Sequence, residues 1–189
     1  DFTWKDFQTR NNSELVSIYG NFANRVLSLI IKYYNGKIPN PKETIDYDKN
    51  IINEILLLKE NLEFHLNDFK FREALKNLIS IARLGNKYLA DSEPWKLKDT
   101  DPDRVNQILN TSFKILTYLS VLSEPFLPFT STKLKKMIGV NCSDWSCLDD
   151  ISNLINYDFK LKHIEILFRR VEDSEIEFQI NKLKNTFNN

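Results

Sequence analysis

The chain has 189 residues, 42% hydrophobic and 28% charged, which supplies a packed core and excludes wholesale disorder. Its 26 Lys and Arg are matched by 26 Asp and Glu, so the bulk charge excludes a protein that grips nucleic acid chiefly by counterion release. A small site that reads bases with a few side chains stays open. Four Gly and six Pro are too few for a turn-rich sheet fold and favour long helices.

Residues 1–10 carry Phe2, Trp4 and Phe7 among polar neighbours and are expected to be a connector that docks by its aromatics. Asn12 or Ser13 is the expected N-cap of a first helix, with Glu14 in its first turn where the dipole favours an anion. Leu15, Tyr19, Phe22, Val26, Leu29, Ile30 and Tyr33 recur at steps of three and four and predict one buried stripe, closed by Asn35-Gly36. A second helix is predicted from about Tyr47 to Leu66. A third runs from about Asp68 to Asp91, its stripe beginning at Phe71, and Pro94 ends it. Asp101 as cap and Pro102 at the first helical position start a fourth, which Pro125 and Pro128 stop. Thr130 to Met137 makes a short fifth. Residues 140–160 read as a polar loop, 161–168 as extended, and 173–187 as a last amphipathic helix. The fold class is therefore all-α: an antiparallel helix bundle over 11–140, with 1–10 as connector and 141–189 as a C-terminal tail with a terminal helix.

Much chemistry is missing. Neither a G-x-x-x-x-G-K-[ST] loop nor a G-x-G-x-x-G turn occurs. His65 and His163 are the only histidines, and His65 reads as a packed surface residue. Cys142 and Cys147 lack nearby histidines to complete a metal site, so no metal is expected, and they read as two reduced thiols in a loop. That points weakly to the cytoplasm. No apolar run reaches the roughly 18–20 residues of a bilayer span, no secretory signal opens the chain, and no membrane partner is expected. The first residue is Asp1 rather than Met, so the chain reads as a piece of something longer.

Two places carry recognition chemistry. Asn21 and Arg25 are four apart in the first helix, on one face and on the flank of the Phe22 stripe. An amide and a guanidinium fork there suit the polar edge of an unpaired base. The pattern equally allows a bond between the two, or an Arg25–carboxylate pair. In Asp91-Ser92-Glu93-Pro94-Trp95, Pro94 stiffens a turn that presents Trp95, an indole suited to stacking or to plugging the bundle end.

These segments resemble the C-terminal anticodon-binding domain of methionyl-tRNA synthetases, which are class I aminoacyl-tRNA synthetases. Asp1-Phe2-Thr3-Trp4-Lys5-Asp6-Phe7 is similar to the junction out of the catalytic part. Gly20-Asn21-Phe22-Ala23-Asn24-Arg25 is similar to the anticodon-reading helix. Gly85-Asn86-Lys87-Tyr88-Leu89 through Glu93-Pro94-Trp95 resembles the second signature, and Pro125-Phe126-Leu127-Pro128 the break after the fourth helix. The resemblance implies that Asn21 and Arg25 hydrogen-bond bases of a CAU anticodon, that Trp95 stacks on the first of them, and that Asn86 and Pro94 support the site. Arg83, Lys87, Lys96 and Lys98 make a candidate basic patch. The implied partners are methionine-accepting tRNA and the catalytic domain of the same chain. The parent enzyme uses ATP and methionine. Its His-Ile-Gly-His and Lys-Met-Ser-Lys-Ser type motifs do not occur here, so this stretch is expected to bind no cofactor and perform no chemistry. The alternatives are the corresponding domain of a leucine, isoleucine or valine synthetase, or a helical protein-interaction bundle.

Overall fold

The first helix starts at Thr3, whose hydroxyl accepts from the Asp6 amide at 3.0 Å, rather than at Asn12 or Ser13. The computed structural model describes residues 2–142 and 144–187. From Thr3 a single helical rod runs to Asn35. It comprises α1 (Trp4–Arg10), a segment Asn11–Gly20 wound as a π-helix, and α2 (Asn21–Tyr34). The junction residues Asn11 and Asn21 keep right-handed helical backbone, so the rod is continuous although its hydrogen-bond register changes twice. Asn35, in the left-handed region at φ 51°, ends it.

Helices α3 (Asp46–Asn67) and α4 (Phe71–Ser92) form a hairpin through the three residues 68–70, which makes them antiparallel. Phe71, expected in the core, lies exposed at the hairpin tip with Phe64 and Phe69. The short α5 (Pro94–Leu97) leads to α6 (Pro102–Leu122), with the Asp101 carboxylate capping the Arg104 amide and Pro102 in the first turn. Pro128 opens α7 (Pro128–Ile138) at its first position instead of stopping α6, because a ring without an N–H costs nothing there.

The central element is α6, packed by α2, α3, α4, α5 and α7. It is buried on all sides, not on one stripe; Ser112, Thr117 and Ser120 are buried with Leu109, Phe113 and Leu116. Those hydroxyls donate to carbonyls of their own helix at 2.8–3.0 Å, which satisfies them without a neighbour. At one end of the bundle the fully buried Asp48 accepts two bonds from Arg104, at 2.6 and 2.8 Å, and one from the Tyr88 hydroxyl at 2.6 Å. This locks the start of α3, the end of α4 and the start of α6 around α5. Burial first, then the bond to and charge of Asp48, push the Tyr88 phenol far above its ordinary range, so it remains a donor.

The segment after α7 is less of a loop than the sequence suggests. A 3-10 turn (Trp145–Asp150) and α8 (Ile151–Leu154) seat Leu148, Ile151 and Ile155 in the core. Cys142 and Cys147 are joined as a disulfide, not two thiols; their Cα atoms lie 6.1 Å apart, within bridging range. Residues 160–172 then run back along the rod. The Leu161 amide donates to the Gly36 carbonyl at 2.9 Å, Phe168 packs edge-on to Tyr19, and Asn12 exchanges two bonds with the Val171 backbone. Finally α9 (Asp173–Phe187) packs on α1. Among the described residues, no helix is long and apolar enough to cross a membrane.

Candidate nucleic-acid interface

Gly85 is where α4 meets α2. A Cβ there would lie 2.5 Å from the Phe22 ring, so only glycine allows this approach. The next residue, Asn86, is thereby carried onto the flank of α2. Its Oδ1 accepts from Asn21 Nδ2 at 3.1 Å and from Arg25 Nη1 at 3.5 Å. Its own amide donates to the carbonyls of Ile18 at 2.9 Å and Ala82 at 3.1 Å. Asn86 is thus a fixed hub whose side chain is spent on positioning. The Ile18 carbonyl belongs to the last turn of the π-helical segment, just before the register returns to four residues at Asn21. Nothing in the residue pattern announces that turn.

Trp95 reaches the same place from the other side. Glu93 adopts left-handed backbone at φ 43°, Pro94 is buried at the first position of α5, and the indole projects back over α2. The Arg25 guanidinium carbon lies 5.5 Å from the centre of the Trp95 ring, a cation–π contact, and the indole stays 42% exposed. Among the described residues, no carboxylate pairs with Arg25. Asn21 is exposed. An amide, a guanidinium and an indole from two distant stretches therefore share one accessible patch, with Asn86 and Pro94 behind them.

The surrounding cations divide. Lys96 is held by Glu93 at 2.8 Å, and Arg83 stands 4.0 Å from Glu14. Lys98 lies over the Tyr33 ring at 5.2 Å, with Lys32 over the same ring at 5.8 Å. Lys87 is exposed on α4. Sequence reasoning did not single out Tyr33 or Lys32 for this patch, because a stripe residue and its neighbour carry no sign of what crosses them. Among the described residues, no three His, Cys, Asp or Glu side chains are grouped to hold a metal ion.

The family described as the anticodon binding domain of methionyl tRNA ligase matches residues 38–186. The chain belongs to this family. It is 49% identical over 186 residues to a methionine–tRNA ligase of Bacteroides fragilis and 50% identical over 187 residues to one of Porphyromonas gingivalis. Each alignment covers 98% of this chain and 27% of the relative. The chain therefore spans about a quarter of the length of these ligases. Among solved structures, apo methionyl-tRNA synthetase of Mycobacterium tuberculosis superposes with a TM-score of 0.81 at 23% identity, over 90% of this chain and 35% of that one. The methionyl-adenylate-bound form gives 0.79, over 89% and 34%. At that identity the likeness speaks for the fold alone. The methionyl-tRNA ligase match sets aside both the leucine, isoleucine and valine alternatives and the plain interaction bundle.

Proposed function

We propose that this anticodon-binding domain reads the CAU anticodon of methionine-accepting tRNA for a methionine–tRNA ligase. The catalytic part of the same protein supplies the ATP- and methionine-dependent step. The observation that carries the reading is the Asn86 hub, which gathers Asn21, Arg25 and Trp95 on one open face. Asn21 offers both a donor and an acceptor, and Arg25 a planar fork, to the edge of a splayed base. Trp95 offers a face for stacking, a contribution of roughly 1–3 kcal/mol per base. A site of this kind draws its affinity from few contacts, which suits a chain of zero formal net charge.

The test is a titration of the chain with a hairpin carrying CAU and with the same hairpin carrying an unrelated anticodon. CAU binds more tightly, and Trp95→Ala weakens CAU binding by roughly 1–3 kcal/mol. Equal affinity for both hairpins overturns the reading.

A further inference from the structure

A second feature adjoins the hub and is unused by it. Arg72, Lys76, Ile79, Arg83 and Asn86 follow one another on α4 at steps of four, three, four and three, which places them on one face. Facing them on the rod are Arg10 and Glu14, and Ile18, whose carbonyl Asn86 binds, is the next position four on. Between the two elements lies an open groove of about 440 Å³. Its lining holds four cations, Arg10, Arg72, Lys76 and Arg83, against one carboxylate, Glu14. In a chain of zero formal net charge this is a local concentration of positive charge in a concave surface.

The groove's cations are held loosely. Arg10 pairs with Asp6 at 2.9 Å and Lys76 with Glu73 at 2.9 Å on exposed side chains, and Arg83 reaches the half-buried Glu14 only at 4.0 Å. Exposed pairs of this kind contribute about 0–1 kcal/mol and are screened by salt, so an incoming anion competes with them. Among the described residues, Arg72 has no carboxylate ion-pair partner. From Arg72 to Arg83 the track is about 16 Å long at the helical rise. That is too long for one anion and suits a line of them.

We infer that this groove is a backbone track for tRNA: its arginines and lysine hold successive phosphates of the stem leading away from the loop seated at the Asn86 hub. Guanidinium forks match phosphate oxygens in pairs, and such contacts set register without reading sequence. The inference rests on the anticodon reading, and the two fail separately.

The test measures dissociation constants between 50 and 200 mM salt for three probes: the CAU hairpin, the same hairpin with an unrelated anticodon, and a single-stranded heptamer containing CAU. Arg72→Ala and Lys76→Ala each weaken both hairpins by the same factor, roughly three- to tenfold. Each lowers the steepness of log affinity against log salt by about 0.7–0.9, the value of one lost phosphate contact. The heptamer and the thermal midpoint do not move. An unchanged salt slope overturns the track, and so does an equal loss on the heptamer, which would assign these cations to the loop. Binding of an oligo-glutamate peptide that depends on Arg72, with hairpin binding unaffected, overturns it in favour of a protein-docking face. If CAU is not preferred yet the slopes fall, the hub reading fails and the track stands.

Discussion

Asn86 spends its amide on two main-chain carbonyls and its oxygen on two side chains, so it has nothing left for a ligand. In the proposed reading it holds Asn21 and Arg25 in place before RNA arrives, which spares the ordering cost at binding. Asn86→Ala is expected to lower CAU affinity by about tenfold and to cost the fold roughly 1–3 kcal/mol, because four partly exposed hydrogen bonds are lost. Asn86→Asp is expected to bind RNA more weakly than Asn86→Ala, because a carboxylate there pins Arg25 and repels phosphate. Titration and thermal unfolding of both variants check this, and an Asn86→Asp that binds as well as wild type contradicts the hub. At this scale side-chain chemistry and spacing singled out Asn21, Arg25 and Trp95 but left structural alternatives open, and the family resemblance supplied their expected role. The Ile18 carbonyl was not legible, since a hydrogen-bond register leaves no mark on composition.

Between elements, what matters is the distance from α2 to α4. Gly85 sets it, with the buried Phe22 ring in the space where a Cβ would sit. Gly85→Ala gains about 1 kcal/mol of helix propensity and meets overpacking of roughly 1–3 kcal/mol. The expected net is modest destabilisation with a disproportionate loss of CAU binding, as Asn86 is levered away from Arg25. Calorimetry beside the hairpin titration separates the two effects; a variant that keeps full CAU affinity shows that the spacing is not critical. Helices α3, α4, α6 and α9 were readable from apolar periodicity and from Asp101-Pro102. Pro128 and Phe71 misled, one because proline starts helices as readily as it ends them, the other because an exposed hairpin tip continues the apolar period past the core.

For the whole molecule, the returning tail is the largest departure from the sequence reading. It covers the rod from Gly36 back to Lys5, through the Gly36–Leu161 bond, the Asn12–Val171 exchange and the Gln8–Asp173 bond at 3.0 Å. Gly36, at φ 81°, has the Leu161 carbonyl oxygen 2.2 Å from where a Cβ would sit, so the tail crosses where only glycine leaves room. The Cys142–Cys147 bridge closes a short loop at the start of this return, remote in sequence from Asn21 and Trp95. Reduction is expected to cost about 2 kcal/mol in the chain-entropy account of a six-residue loop. It is expected to lower the thermal midpoint and leave CAU affinity unchanged, which unfolding and titration with and without dithiothreitol measure. A fall in affinity on reduction would tie the tail to the recognition face.

The sequence by itself determined that the chain is helical, where most helices lie, and which side chains carry hydrogen-bonding or stacking groups, because periodicity, caps and functional groups are local properties. Only the tertiary structure decided that these groups meet, that Asn86 rather than a carboxylate holds Arg25, that the cysteines are joined and that the tail returns along the rod. The cysteines are only five positions apart, but the other contacts join residues 61 to 165 positions apart, fixed by packing and close approach, which no local pattern encodes.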